Sequence, residues 1–393
     1  MTTLEEKILR CRRVIETEYF IPETNLIYDF RTSLDHEHRF DHLPSVGEIA
    51  ARLPNPCGWG SGMEDSTING GVALDMYIDA GDAAMADKIY RGLRFCGTVS
   101  GVPGFVARSV SPRDGKSFYP ESSRDQYTHY VYGLWAYFHS GMIDAGLKAE
   151  IAGLLVDVAK FCEQYVTEAN DWTLPRADFD SPRSSVCKLW NVNSHEAARL
   201  PMFYAAAWSV SGDSHWLDMT MRYAAEAAEA SRRLGARSYH SYALLQMICS
   251  CRLLHDVLPD ARLKACYAEA MRDIAEYLNF NMLRAADASY AVDYHAQNSD
   301  WRRNTRATVL PGCRHVIPAY PDAYALAARN IREIGEVLLI KLLLPGADRR
   351  IGGFDTRLFA GLLADFEPES YMPYGALYPA AAWYKAKKLG IEF

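Results

Sequence analysis

Nothing in this chain marks it for an oxidising compartment, a membrane or a nucleic acid. Its nine cysteines are odd in number, form no CxxC pair and lack the spacing of a zinc site, so they read as reduced thiols. Lysine and arginine, 42 in all, are outnumbered by 49 aspartates and glutamates, and the resulting charge of −7 argues against a nucleic-acid backbone as partner. The longest apolar run, Val337 to Leu344, is interrupted by Lys341 and is too short to span a bilayer. The N-terminal MTTLEEKILRCRRVIE is a charged amphipathic helix without the apolar centre of a signal peptide. A soluble, cytoplasmic protein with no membrane partner is the expectation.

Catalytic signatures are also scarce. GxSxG, HExxH, EF-hand and P-loop patterns are absent, which disfavours a serine triad or a zinc hydrolase, and no metal or cofactor is expected. Gly58, Gly60 and Gly62 follow no strand pattern and lack the GK[ST] ending of a phosphate loop. The S-x-x-K of Ser185 to Lys188 has none of the companion motifs of acyl-transfer enzymes. Low-complexity linkers and long alternating strand patterns are missing as well, so a single mainly α-helical domain over residues 1–393 is preferred.

What the chain does have is helical periodicity, a 49% hydrophobic composition ample for a large core, and 12% aromatic residues that suit thick helix packing or a groove that stacks flat ligands. Four segments read as helix, turn, helix, with turns near Gly81, Gly141, Gly212 and Pro259. A fifth pair runs from Ala323 to Leu344 and Asp355 to Ala364. Tyr378 to Leu389 forms a sixth with the N-terminal helix, joining the two ends of the chain. Six helical hairpins arranged this way describe an all-α (α/α)6 toroid.

Polar residues collect at several helix starts. In YPESSRDQYTHYVYGLW, residues 119–135, a helix beginning near Arg124 places Val131, Leu134, Trp135 and Phe138 on one apolar stripe. Asp125, Gln126 and His129, followed by the small Gly133 and Ala136, fall on the other face, as an inner helix opening into a cavity would have them. Ser123 with Gln126 fits a capping box and Asp125 suits the helix dipole; neither explains Glu121, Arg124, His129 and Tyr130. In NPCGWGSGMEDSTINGG a glycine-rich loop precedes Glu64 and Asp65 at a second helix start, and the stripe of Leu74, Tyr77 and Ile78 sends Asp65 and Asn69 to the opposite side. The plain alternative is a loop with Asp65 as a cap. KLWNVNSHEAARLP groups Asn193, His195, Glu196 and Arg199 with Asn191 at a third start, where Ser194 is the candidate cap and Glu196 with Arg199 an i, i+3 ion pair; its apolar residues lie nearly all round, so no cavity face is assigned. SYAVDYHAQNSDWRRNTR adds Asp293, His295, Asp300 and Trp301, and EPESYMPYGALY adds Tyr371 and Tyr374.

Carboxylates converging on a recess lined by Tyr and Trp suit glycosidic bond cleavage, in which one acid protonates the leaving oxygen and one carboxylate activates water or forms a glycosyl intermediate. Asp125 is the first choice as proton donor, with Glu64 or Asp65 as partner, although Arg124 beside it would make it a better base than acid unless burial offsets the charge. Arg108, Arg113, Lys116 and Arg124, and Arg302, Arg303 and Arg306, suggest an anionic ligand such as a uronic-acid carboxylate; solvated loop charges are the alternative.

The hairpin ring, EDS at 64–66 and RDQYTHY at 124–130 resemble the (α/α)6-toroid carbohydrate-active enzymes, nearest to glycosidases acting on uronic-acid-containing glycans such as the unsaturated glucuronyl hydrolases. The resemblance implies a glycoside hydrolase with a small carbohydrate or oligosaccharide as partner and Asp125 as acid/base; a second clearly matching Asp motif is lacking. Tyr119, Arg108, Asn69 and the polar residues named above would bind substrate, with His195 as a further catalytic candidate. Competing readings are a lyase using Tyr130 or His195 as base with Asn191 and Arg199 neutralising the carboxylate, an epimerase using His129 and His195, and a non-catalytic helical scaffold.

Overall fold

The computed structural model describes residues 3–31, 33–182, 185–235, 239–289, 306–309, 316–319, 322–346, 351–370 and 374–393. The helices are α1 (Leu4–Val14), α2 (Val46–Ala50), α3 (Ser66–Asp79), α4 (Ala83–Thr98), α5 (Arg124–His139), α6 (Ala145–Tyr165), α7 (Arg199–Ser211), α8 (Ser214–Ser231), α9 (Ser241–Val257), α10 (Ala261–Ser289), α11 (Asp322–Leu342), α12 (Gly353–Ala364) and α13 (Leu377–Lys388). Two short antiparallel hairpins interrupt them, β1 (Phe20–Ile21) with β2 (Leu26–Ile27) and β3 (Arg306–Val309) with β4 (Val316–Ala319). The protein is all-α in class.

Local chemistry sets the hairpin turns. Gly212 takes a left-handed conformation, φ 70°, and returns its N–H to the Trp208 carbonyl, closing α7 before Asp213 caps α8 by accepting from the His215 N–H. Gly81 and Gly141 lie in the same region at the ends of α3 and α5. Leu258 and Pro259 make the turn from α9 to α10.

Six of the helices pack in sequence, α3 on α5, α5 on α7, α7 on α9, α9 on α11, α11 on α13, and α13 back on α3. The others lie outside these contacts: α4 on α3, α6 on α5 and α7, α8 on α7, α10 on α9 and α11, α12 on α11, and α1 on α13. Burial follows this division. In α3 every residue from Ser66 to Ile78 except Asp75 is buried, and α7 is buried continuously from Arg199 to Ala207, whereas α4, α6 and α8 bury one side.

Helices α3 and α5 approach closely. A Cβ on Gly71 would run into the His129 carbonyl, and one on Gly133 would lie 3.0 Å from the Gly71 Cα. The small face of α5 thus serves helix packing at Gly133, a correction to its expected place on a cavity wall. At the far end of α3, Lys385 of α13 reaches Asp75 at 2.8 Å and Asp79 at 2.6 Å, and Lys388 adds a contact of 3.0 Å to Asp79.

Candidate functional site

The starts of α3, α5, α7 and α9 meet at one end of the helix array, and their polar residues are tied across elements rather than along the chain. Ser123 caps α5 by accepting from the Gln126 N–H, but the Gln126 side chain does not return to complete a capping box. Its amide instead donates to the Glu64 carbonyl at 2.8 Å and to Asp65 Oδ1 at 3.1 Å and accepts from the Ile68 N–H at 3.2 Å. A fully buried glutamine therefore clamps the start of α5 onto the start of α3.

Asp65 makes no side-chain cap, contrary to the plain alternative drawn from the sequence. The buried Asp29 does the positioning there: its Oδ2 accepts from the N–H groups of Glu64 and Asp65 at 2.9 and 3.1 Å, and its Oδ1 accepts from the Asn69 amide at 3.0 Å. Asn69 is consequently a buried support for Asp29, with its own Oδ1 left without a partner. Glu64 is buried too, and its Oε2 accepts from the N–H groups of Gly60 and Gly62 at 2.9 and 3.0 Å, so the glycine-rich loop is wrapped round a carboxyl. Trp59 on that loop stays exposed.

Arginine pairing also crosses helices. Arg199 donates to Asp125 through Nη1 and to Gln246 Oε1 through Nη2, the latter at 2.6 Å. Arg124 donates to Glu196 and to the Lys188 carbonyl. The expected i, i+3 pair of Glu196 with Arg199 is thus replaced by two longer-range pairs. Asn193, not Ser194, caps the turn at 194–196, with its backbone N–H and its side-chain amide both bonded to Glu196 Oε2; Ser194 donates to the Arg233 carbonyl. His195 lies one step away from the carboxylates, its Nε2 3.4 Å from Glu196 Oε1 and its ring against Tyr239. Arg108 donates to the Glu64 carbonyl at 2.9 Å and sits 3.8 Å from Asp65, while its buried Nε has no partner.

Two expected ligand residues belong to the core. Tyr119 donates its hydroxyl to the Leu53 carbonyl and packs its ring over Gly58. Tyr130 is buried with its hydroxyl against Gly97 of α4. Arg113 is spent on loop carbonyls, including Leu43 at 2.9 Å. His295, Trp301 and Tyr371, with Asp293, Asp300, Arg302 and Arg303, lie outside the described residues. Tyr374 accepts from Arg332 of α11, a residue that no motif singled out.

The electrostatics separate the carboxyls. Burial disfavours the charge on Asp125, but Arg199, Arg124 and Arg108 outweigh it and hold its carboxyl below the ordinary value. Asp125 is therefore ionised at neutral pH, the form of a base rather than of a proton donor. About a quarter of its side chain, 23%, and 25% of that of Asp65 remain open to water although burial dominates the Asp125 environment. That combination describes a recess rather than a surface. Glu196 goes the same way as Asp125: burial raises it, yet His195, Arg124 and Arg199 bring it down to about 2. Burial and the neighbouring Asp65 push Glu64 the other way, up to about 8. Burial also lowers His129 to about 3, leaving a neutral imidazole that is a poor base.

The Glu64 shift has a measurable sign. Its pKa is raised from 4.5 to about 8 on folding, so between those values the native state keeps a proton that the unfolded chain has released. Stability should fall as pH rises through that window, by up to about 1.4 kcal/mol per pH unit. Glu64→Gln, whose carbonyl can still accept from Gly60 and Gly62, should flatten the decline without abolishing it, because burial also lifts Glu336 to about 7. Melting temperatures of both proteins from pH 5 to 8 check this; parallel curves would refute it.

Among the described residues, no group of three or more metal-binding side chains is assembled, and no helix is long and apolar enough to cross a membrane. The eight described cysteines are all free. No protein-family model matches the chain, and no curated protein matches it significantly.

Proposed function

We propose that residues 1–393 form a single (α/α)6 toroid and that the protein is a glycoside hydrolase cleaving a bond in a uronic-acid-containing oligosaccharide. The cyclic packing of α3, α5, α7, α9, α11 and α13 with a second helix behind each supports the architecture. One observation carries the chemistry: Asp125 and Asp65, from adjacent helix starts bridged by Gln126, are both open to water in a recess, and three arginines keep Asp125 charged. In this reading Asp125 activates the attacking water and Asp65, the second carboxyl of the pair, faces the glycosidic oxygen. Arg199 and Gln246 fix the orientation of Asp125, and Glu196 balances Arg124 so that the charge near Asp125 is set by a lattice rather than by one pair.

The competing chemistries find less support. Tyr130, the tyrosine expected as elimination base, is raised well above its ordinary value by burial, which opposes that use. His129 is too weak a base for proton abstraction in an epimerase.

Saturated uronate-containing oligosaccharides incubated with the protein should gain reducing ends without gaining ultraviolet absorbance. Rising absorbance would instead mean elimination and a lyase. Interconversion of free sugars with no cleavage would mean an epimerase, and no change in any of the three sinks the enzymatic reading.

A further inference from the structure

Arg332 of α11 occupies an unusual position for an arginine. Its guanidinium lies over the rings of Tyr378, Tyr374 and Tyr242, with centroids 5.0, 5.3 and 5.5 Å away. Nε donates to Glu336 Oε1 at 2.6 Å and Nη1 donates to the Tyr374 hydroxyl. Nη2 carries no hydrogen bond among the described residues, and 22% of the side chain is open to water. The Tyr378 hydroxyl is buried beside it without a partner.

Tyr374, which Arg332 covers, donates its backbone N–H to the carbonyl of Asp29 at 3.1 Å, and Asp29 holds the N–H groups of Glu64 and Asp65, so the cation lies beside the recess. Its charge is felt by His129, and Asp65 in turn acts on Arg332, Glu336, Tyr374 and Tyr378. Tyr242, at the start of α9, is 40% exposed and senses both Asp125 and Asp65. A guanidinium held by three rings and one carboxylate is oriented in advance, so little side-chain entropy remains to be lost when a ligand takes its free edge. Burial lifts Glu336 to about 7 even beside Arg332, so near neutral pH the counter-charge is partly discharged and the arginine retains positive charge for a ligand.

We propose that Arg332 reads a carboxylate on the bound sugar, its free Nη2 edge taking the acid group while the exposed ring of Tyr242 covers a face of the same sugar. This assignment rests on the reading of the recess as a sugar site. It gives the acidic substrate class a specific recognising group, on an element that contributes neither of the proposed catalytic carboxylates.

The test is direct binding of free glucuronate and of glucose, measured by titration calorimetry. The wild-type protein should favour glucuronate by roughly 10- to 100-fold, the range a hydrogen bond to a charged group supports. Arg332→Met should lose the preference, and Arg332→Lys, which keeps the charge without the planar fork, should retain part of it. Because Arg332→Met leaves Glu336 without its partner, the double variant Arg332→Met with Glu336→Gln serves as a charge-balanced control, its fold checked by circular dichroism. Equal binding of the two sugars by the wild type, binding of neither, or a preference that survives in Arg332→Met overturns the proposal. Turnover of oligosaccharide without any charge preference would remove Arg332 and leave the hydrolase standing; a charge preference without turnover would do the reverse.

Discussion

Asp125→Asn should lower turnover of the oligosaccharide substrate by roughly a thousandfold, within the usual contribution of a positioned acid or base. The reason is specific to its surroundings. Asp125 is kept ionised by Arg199, Arg124 and Arg108, and a neutral amide in its place cannot take a proton from water. Folding should survive, because the Asn oxygen still accepts from Arg199, whose second nitrogen stays with Gln246. A stability loss of about 1–2 kcal/mol is expected from replacing a charged acceptor by a neutral one. Steady-state kinetics beside a denaturation curve decide the matter: full activity removes Asp125 from the chemistry, and collapse of the fold makes it a structural ion partner of Arg199.

Lys385→Ala should have the opposite signature. Lys385 is 12% exposed and bridges Asp75 and Asp79, of which Asp79 is 1% exposed. Burial alone would lower the lysine, but the two aspartates outweigh it and keep it charged. Removing one partner of a buried ion cluster leaves the others uncompensated, at a cost of about 3–5 kcal/mol, which Lys388 offsets only in part because it reaches Asp79 alone. This contact joins α13 to α3, the step at which the last of the six serially packed helices meets the first. Asp79 lies 14 residues beyond Asp65 on α3, about 21 Å along the axis, so the geometry of the recess should be spared at temperatures where the variant is folded. Urea denaturation with an activity assay at low temperature tests both halves. A change below about 1 kcal/mol would show that packing, not this cluster, holds α13 on α3.

The helices and their turns were legible because local rules govern them. The glycines at 81, 141 and 212 all take left-handed conformations at helix ends, and Ser123 caps α5 as its position before Arg124 implies. The expected sixth pairing of the C-terminal segment with the N-terminal helix corresponds to the packing of α13 on α1. Face assignment worked less well for the same physical reason throughout. A helix buried on every side has no polar stripe to read, so α7, buried from Arg199 to Ala207, offered no direction, and Gly133 was assigned to a wall when it meets Gly71.

The site divides along the same line. By itself the chain determined that carboxylates, arginines and amides gather at the starts of α3, α5 and α7, since short motifs at helix N-termini are written consecutively. Only the tertiary structure decided their partners: Arg199 with Asp125, Arg124 with Glu196, Gln126 with Asp65, and Asp29 with the N–H groups of Glu64 and Asp65. It also decided their protonation, charging Asp125 through Arg199 and Arg108 from other elements in addition to the neighbouring Arg124, and leaving Glu64 neutral in a buried loop. A pKa depends on charges and solvent within a few ångströms in space, and sequence spacing specifies neither across separate helices.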